Sequence, residues 1–446
     1  MITPLGIIAI LVCIYSVVTH NHRLNVFISI LSVVCDTLYI NIGGLNFLLI
    51  YFVGYLNLPL ILNSGILKNG SVNSIIKYIR NEYIYLILLG IIFGFIFPWQ
   101  DTSGTRMWNQ TAQGRALVSL LRIFSEFIVL LYFAYVIINK RVSIRYIVYA
   151  FAIASAISFW VGFMDYLMGY PIKSHLFNLT HFEAKRFLGL NGEPKALGRA
   201  GALSYAFILI YKLTFTDKSK FLTFALLTNV FAVILSSSAS SYILFILLNL
   251  AVFFNFSVRN IGFSLALAIV LFFTYNTFYE KGYLHEDTNQ KVQKALFAID
   301  DEWVVNEPEV FKRFDIWDRL ALIYLWKHPA YFITGVGPNL ISIPMSEYIP
   351  RQSVFYTLGR VDSVPNVMLI NILSRSGLIG LILISMGLIS IYNYSRKNLP
   401  EFFMRMLVIA VVFSMVYFNI VFYLTIGIIT GYIYLSKQEI DIEGNN

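Results

Sequence analysis

Apolar stretches long enough to cross a membrane recur from one end of the chain to the other, and polar links separate them. About 20 apolar residues in a helix cross roughly 30 Å of hydrocarbon. The pattern predicts an all-α polytopic membrane protein with about 12–14 transmembrane helices, in which residues 1–446 form a single integral membrane domain. The predicted spans are residues 4–18, 25–42, 45–65, 83–98, 117–138, 146–166, 196–214, 221–236, 241–256, 261–278, 366–393, 403–418 and 420–435.

Composition and charge agree with this class. Of the 446 residues, 58% are hydrophobic and 13% are charged, whereas a soluble domain carries roughly twice that charged fraction. Lys and Arg cluster in alternate links, which the positive-inside rule places in the cytoplasm, and the net charge of +9 mostly reflects this topology. The same rule predicts a cytoplasmic tail at residues 437–446. The order of the spans places a long, partly helical loop, residues 279–362, on the opposite side, and a loop of that length is exempt from the rule.

Several kinds of chemistry have no support in the sequence. Cys13 and Cys35 both lie in apolar stretches, so neither a disulfide framework nor a Cys-x-x-Cys metal site is predicted. The chain has no HExxH, P-loop or GxSxG motif, and we expect no metal, no cofactor and no nucleic acid partner. No internal repeat is evident, which weakens a transporter interpretation without excluding it.

The stretch "NGEPKALGRAG", residues 191–201, places Glu193, Lys195 and Arg199 at the external entrance of a span. Arg199 lies about one turn inside the helix, where a charge is costly unless it is paired or faces water, so it indicates a polar cavity. The alternative is that Arg199 extends its side chain to the membrane interface. Glu193 either acts as a base beside the cavity or favours the helix dipole ahead of Pro194.

A second charged pair lies inside a span, in "SLLRIFSEFIVL". Arg122 and Glu126 are four residues apart, which puts them on one face of a helix. They either form a structural pair, which needs no substrate, or contribute Arg122 to a substrate site.

The external loop contains an amphipathic helix, predicted over residues 311–327 and ended by the proline that follows. Apolar side chains recur on it at helical spacing, so it should lie across the membrane surface or over the mouth of a cavity. Arg313 and Arg319 lie on other faces. Arginine presents five fixed donors suited to phosphate oxygens, although Asp315 and Asp318 could instead neutralise both arginines locally.

The last group is "SVPNVMLINILSRSGLIGLIL", where Arg375 and Gly377 interrupt a long apolar run. Because the run is longer than one span requires, we expect a tilted or broken helix with Asn366, Asn371 and Arg375 facing a wet interior. A packing role is the alternative for Arg375. Together the external arginines predict a basic cavity suited to a diphosphate, roofed by the amphipathic helix.

In four places the sequence resembles the superfamily of O-antigen polymerases and O-antigen ligases, which are bacterial membrane glycosyltransferases that use polyprenyl-diphosphate-linked glycans. The four pieces are "GLNGEPKALGRAG", "LSSSASSYILF", "RFDIWDRLALIYLWKHPAYFITGVGPNL" and "VPNVMLINILSRSGLIGL". The third piece is the most specific, because Arg313, Trp317, His328-Pro329 and a Gly-x-Gly-Pro turn follow the order and spacing of the family.

The sequence also departs from the family pattern in two places. Ligases place a His-Asn pair ahead of the last piece, where this chain has Pro365-Asn366, and this difference favours a polymerase. The Ser-Arg pair of the family is absent from the Ser-rich piece, so no role is assigned to that piece.

The resemblance implies a GT-C-like protein of the bacterial inner membrane that transfers a growing glycan from polyprenyl diphosphate to a lipid-linked repeat unit, with its active site facing the periplasm. A ligase acting on lipid A-core, and a flippase or other transporter of lipid-linked oligosaccharide, are the alternatives. The implied partners are the lipid-linked oligosaccharide, the lipid bilayer, a chain-length regulator and a flippase. The predicted catalytic residues are Glu193, Arg199 and Arg313, and the predicted substrate-binding residues are Lys195, Arg319, Arg375, Asn366 and Arg122.

Overall fold

A computed structural model of the protein describes residues 4–42, 45–64, 66, 70–97, 111–169, 172, 187–236, 238–253, 316–345, 365, 367–417 and 420–443. The predicted span at residues 261–278 and most of the predicted loop at residues 279–362 lie outside the described residues. Arg313 and Asn366 lie outside them as well.

The described residues are almost entirely helical. The helices are α1 (Pro4–Val18), α2 (His22–Val34), α3 (Leu49–Leu56), α4 (Leu58–Asn63), α5 (Gly70–Ile91, followed by a π-helical turn at Ile92–Ile96), α6 (Ala112–Ile138), α7 (Ile144–Leu167), α8 (Pro194–Phe215), α9 (Lys220–Leu235), α10 (Ala239–Phe253), α11 (Ile316–Lys327), α12 (Pro329–Thr334), α13 (Ser342–Met345), α14 (Met368–Asn398), α15 (Glu401–Val416) and α16 (Val421–Glu443). Strands β1 (Tyr39–Ile42) and β2 (Leu45–Leu48) form an antiparallel hairpin between α2 and α3.

Five helices in the described part of the chain are long and apolar enough to cross a membrane. They are Ile76–Ile96, Ala112–Ile138, Ile144–Leu167, Pro194–Phe215 and Met368–Asn398. Shorter apolar helices accompany them, including α2, α9, α10 and α16. The protein is therefore an all-α membrane protein, as the apolar pattern predicts.

The structure corrects the second and third predicted spans. Strands β1 and β2 lie where the apolar pattern predicts continuous helices. They pair antiparallel, from Tyr39 with Leu48 to Ile42 with Leu45. Helices α3 and α4 are separate because Pro59 lies in the first turn of α4, and a proline ring clashes with the carbonyl of a continuous helix.

Helix α6 lies at the centre of the bundle and packs against α3, α5 and α16. Gly427 and Gly431 of α16 face α6 with no room for a Cβ, which lets the two backbones approach closely. Most of the second half of α6 is buried. Its first half exposes Leu117, Leu121 and Phe124, which recur at helical spacing and which we call the apolar stripe.

Helices α11, α12 and α13 pack at the start of α14. The predicted amphipathic helix is described from Ile316 to Lys327, and its apolar side chains Leu320 and Tyr324 are buried. Asp318 accepts a hydrogen bond from the Val367 N–H at 3.1 Å, directly ahead of α14. Helix α11 is thus attached to the helix that carries Arg375.

Candidate functional site

Polar contacts hold the loop before α8 in place. The Asp36 carboxylate accepts a hydrogen bond from the Gly192 N–H at 2.9 Å, and the Asn191 side chain accepts one from the Asp36 N–H at 3.0 Å. Asn191 also donates to Ser158 of α7 at 3.1 Å. These contacts fix where α8 begins and therefore where its charged residues lie.

Glu193 and Lys195 form an exposed ion pair at the entrance of α8. The Lys195 ammonium lies 2.8 Å from the Glu193 carboxylate, and the two side chains are 53% and 57% exposed. Glu193 is the N-cap residue of α8, but its side chain makes no capping hydrogen bond. A surface ion pair of this kind contributes about 0–1 kcal/mol to the free energy of unfolding. Neither side chain reaches the interior of the bundle.

Arg199 lies one turn further into α8 and is half-buried. Its guanidinium carbon is 4.5 Å from the centre of the Tyr417 ring, and it donates to the Ser240 hydroxyl at 3.4 Å. Ser240 belongs to the Ser-rich piece, which packs here because Gly198 leaves room for the Ser241 side chain. The sequence analysis assigned this piece no role, and the structure places it beside Arg199.

The first half of α6 carries a polar stripe, formed by Arg115, Ser119, Arg122 and Glu126 at intervals of three or four residues. By the helical repeat of about 3.6 residues per turn, this polar stripe lies roughly opposite the apolar stripe. Arg115 and Glu126 are buried, and Arg115 donates to Ser342 of α13. The polar stripe therefore faces the bundle and not the lipid.

Arg122 is the accessible member of the polar stripe. Its Nε donates to Glu126 at 3.3 Å, yet its side chain is 46% exposed while that of Glu126 is 5% exposed. Arg122 follows the first residue of α6 by ten positions, which places it roughly 15 Å along the helix. An arginine facing lipid at that depth is costly. Arg115 and Glu126 of the polar stripe are buried, whereas Arg122 is its exposed charged member.

Tyr417 connects Arg122 with Arg199. Tyr417 interacts electrostatically with Arg122, and the Arg199 guanidinium lies over the Tyr417 ring. Tyr51 of α3 also lies within electrostatic reach of Arg122. We call Arg122, Arg199, Tyr417, Tyr51 and Glu126 the arginine site. The structure therefore brings together two of the predicted residues, Arg122 and Arg199, from separate helices.

Arg375 is held in a buried ion pair. Its guanidinium donates to Glu82 of α5 at 3.1 Å and to the Tyr423 hydroxyl at 3.0 Å, and the Arg375 and Glu82 side chains are 8% and 1% exposed. Ser376 donates to the same Glu82 oxygen at 3.2 Å. Glu82 was not predicted from the sequence. The predicted span starts at residue 83, whereas the apolar helix in the structure begins at Ile76 and so includes Glu82. This burial favours the packing interpretation of Arg375.

A break in α14 positions Arg375. Gly377 has φ 62° and ψ −163° inside α14, which is the broken helix that the sequence predicts. The Val336 N–H donates to the Ser374 carbonyl and the Gly337 N–H donates to the Arg375 carbonyl, both at 3.0 Å. Carbonyls freed by a helix break need such partners. The Gly-x-Gly-Pro turn therefore supplies the donors that the break requires.

The arginine site and the buried ion pair are neighbours. Glu126 lies within electrostatic reach of Glu82, Arg375 and Tyr423. The predicted residues Arg122, Arg199 and Arg375 consequently belong to one polar region. Helices α3, α5, α6, α8, α14 and α16 contribute side chains to it, together with Tyr417 directly after α15.

The other predicted residues have different surroundings. Arg319 of α11 is 3% exposed, so its side chain is buried where α11 packs against its neighbouring helices. Asn371 donates to the Pro365 carbonyl at 2.8 Å and so orders the entry to α14. Arg313 and Asn366 lie outside the described residues.

The described residues include no group of three His, Cys, Asp or Glu side chains that could hold a metal ion. Fold and site together define a class, which is a helical membrane protein with an arginine- and tyrosine-lined polar region inside its bundle. A scan against models of known protein families gives no match for this sequence, and a search of curated proteins gives none either. The function must therefore be inferred from the chemistry of the site.

Proposed function

We propose that the protein polymerises lipid-linked oligosaccharide repeat units of an O-antigen or related surface polysaccharide. It transfers the growing glycan from polyprenyl diphosphate to a hydroxyl of an incoming repeat unit, on the periplasmic face of the bacterial inner membrane. The observation that carries the proposal is Arg122, an arginine inside a span whose side chain is 46% exposed and which, like Arg199, interacts with Tyr417.

The chemistry of glycan transfer suits these residues. A departing diphosphate develops negative charge, and fixed arginine donors in a region of low dielectric stabilise that charge. Arg122 and Arg199 approach Tyr417 from two helices, so one diphosphate can receive donors from both. Their donors make a metal ion unnecessary in this proposal. Arg313 is proposed as a third donor, and Arg375, in its buried pair with Glu82, is proposed to support the site from behind.

Three further residues are proposed to guide the substrate. Lys195 is exposed at the entrance of α8, where it can attract an anionic headgroup. Arg319 and Asn366 belong to segments next to the start of α14, at the external mouth of the proposed cavity. Glu193, the base expected from the sequence, is instead paired with Lys195 on the surface, at the entrance of α8.

The proposal includes a finer topology. The single membrane domain has about 12–14 spans in a GT-C-like arrangement, with the loop at residues 279–362 in the periplasm and the tail at residues 437–446 in the cytoplasm. A flippase would deliver the lipid-linked repeat units to this face, and a chain-length regulator would limit the product.

Purified protein in lipid nanodiscs, supplied with a synthetic polyprenyl-diphosphate-linked repeat unit, tests the function. We expect a ladder of longer glycans by gel electrophoresis and mass spectrometry. Arg122→Ala should slow this polymerisation by about 10²–10³-fold, since one donor to the leaving diphosphate is lost. Arg145→Ala is the control, because Arg145 is an exposed arginine at the start of α7.

Two other outcomes would replace the proposal. Transfer of a preformed glycan to lipid A-core, without any elongation of repeat units, would identify a ligase. Movement of labelled lipid-linked oligosaccharide across a proteoliposome membrane, without a new glycosidic bond, would identify a transporter.

A further inference from the structure

In the described part of the chain, only one of the two oxygens of the Glu126 carboxylate has a hydrogen-bond partner. Glu126 accepts the Arg122 Nε–H on one oxygen at 3.3 Å, whereas charge-assisted bonds of this type are about 2.7–2.9 Å long. Its other oxygen is buried and has no hydrogen-bond partner among the residues that the structure describes. A buried carboxylate oxygen without a donor is costly, so this oxygen points to a ligand that supplies one.

The other nearby carboxylates are less suited to meet a ligand. Glu82 also has one buried oxygen without a partner in the described part of the chain, but it is only 1% exposed and lies behind Arg375. Glu193 lies on the surface in its pair with Lys195. Glu126, in contrast, is paired with Arg122, whose side chain is 46% exposed and can meet a ligand.

We propose that Glu126 is the catalytic residue that accepts the proton of the acceptor sugar hydroxyl. This inference rests on the proposed function and names the base that glycan transfer requires. A sugar hydroxyl is a hydrogen-bond donor, and it supplies the partner that the second Glu126 oxygen lacks.

Arg122 links the two halves of the reaction. When the diphosphate binds, the Arg122 guanidinium turns from Glu126 to the phosphate oxygens, which offer it a bidentate contact. Glu126 then loses its counter-charge and is free to accept the hydroxyl proton. The carboxylate is thus activated only when the donor substrate is in place.

The atoms and charges balance in this step. The acceptor hydroxyl oxygen bonds to the anomeric carbon of the donor glycan, and its proton passes to Glu126. The bond between the anomeric carbon and the diphosphate oxygen breaks, and the electron pair leaves with the diphosphate. When polyprenyl diphosphate departs, Glu126 releases its proton to water and pairs with Arg122 again.

The decisive variant is Glu126→Gln, which keeps the size of the side chain and its hydrogen bond to Arg122 but is a far poorer base. With synthetic lipid-linked repeat units, kcat should fall about 10²–10⁴-fold while KM stays within about threefold of the wild-type value. Rates are normalised to the folded fraction that elutes as a single size-exclusion peak. Added formate should restore activity to Glu126→Ala, because a small carboxylate can occupy the vacated space and accept the proton.

Glu401→Gln is the matched control. Glu401 forms a pair with Arg405 at the same four-residue spacing, at 2.7 Å, but its side chain is 50% exposed at the start of α15. It lies outside the arginine site, so its removal should leave kcat unchanged.

The possible results separate this inference from the proposed function. If the wild-type protein makes no polymer, the proposed function fails and this inference fails with it. If the wild-type protein makes polymer and Glu126→Gln does so at the same rate, the inference fails alone. A slow Glu126→Ala that formate does not rescue, or failure of both variants to fold, would assign Glu126 to structure and overturn its role as the base.

Discussion

Replacing Gly377 tests how the break in α14 holds Arg375 in place. The φ of Gly377 is +62°, a value that glycine adopts readily and residues with a Cβ rarely do. A Cβ at this position would overlap the Ile333 carbonyl oxygen and the Gly335 N–H, which belong to α12 and the turn after it. Gly377→Ala must therefore strain the break and push α12 away from α14.

The expected loss of stability has two parts. Alanine at a left-handed φ costs about 1–2 kcal/mol. Displacement of α12 breaks the hydrogen bonds from Val336 and Gly337 to the carbonyls of α14, each worth about 1 kcal/mol net. Gly377→Ala should lower the free energy of unfolding by about 3–4 kcal/mol. It should also slow polymerisation, because the Arg375 carbonyl is one of the two acceptors.

Thermal unfolding in detergent, followed by the loss of the size-exclusion peak, measures this effect. Gly169→Ala is the control, since Gly169 also has a left-handed φ of +79° but a Cβ there would meet nothing within 4 Å. The control isolates the backbone cost, and Gly377→Ala should be less stable than it by about 2 kcal/mol. Equal stability of the two variants would refute a tight junction between α12 and α14.

Three further variants examine the charged residues. Glu82→Gln leaves the buried Arg375 without its counter-charge and should cost about 3–5 kcal/mol in the same unfolding measurement; a change below about 1 kcal/mol would contradict a tight ion pair. Arg199→Ala should leave expression intact and slow polymerisation by about 10²–10³-fold, and wild-type glycan lengths at equal expression would remove it from the site. Glu193→Gln should leave the rate of polymerisation unchanged, because its exposed pair with Lys195 is a surface contact; abolished polymerisation would return the role of base to Glu193.

Most of the helical architecture could be predicted from the sequence. Runs of apolar residues locate α6, α7, α8 and α14 to within a few residues, because a membrane span requires a long apolar segment whatever its neighbours are. The hairpin at residues 39–48 was missed, since a short apolar run on either side of Gly43 and Gly44 fits a strand as well as a helix. The division between α3 and α4 was missed as well, although Pro59 gives a local signal for it.

The candidate site could be predicted only in part. A charge inside an apolar run is visible in the sequence, which is why Arg122, Arg199 and Arg375 were all found. Tyr417 and Tyr423 were not found, because a tyrosine near the end of a span is ordinary and gives no sign of the cation that it contacts. Contacts between helices that are distant in the sequence can be identified only once the fold is known.

The orientation of each ion pair is what the sequence could least reveal, and it decides what each pair can do. Arg375 and Glu82 are 8% and 1% exposed, so they neutralise each other inside the bundle. Lys195 and Glu193 are 53% and 57% exposed, so water screens both. Arg122 and Glu126 are 46% and 5% exposed, so this pair leaves its cation accessible while its anion is buried. An accessible cation can leave its partner for an anionic ligand, and the buried carboxylate left behind is then available to accept a proton. The four-residue spacing that made Arg122 and Glu126 resemble a structural pair is therefore compatible with a reactive one.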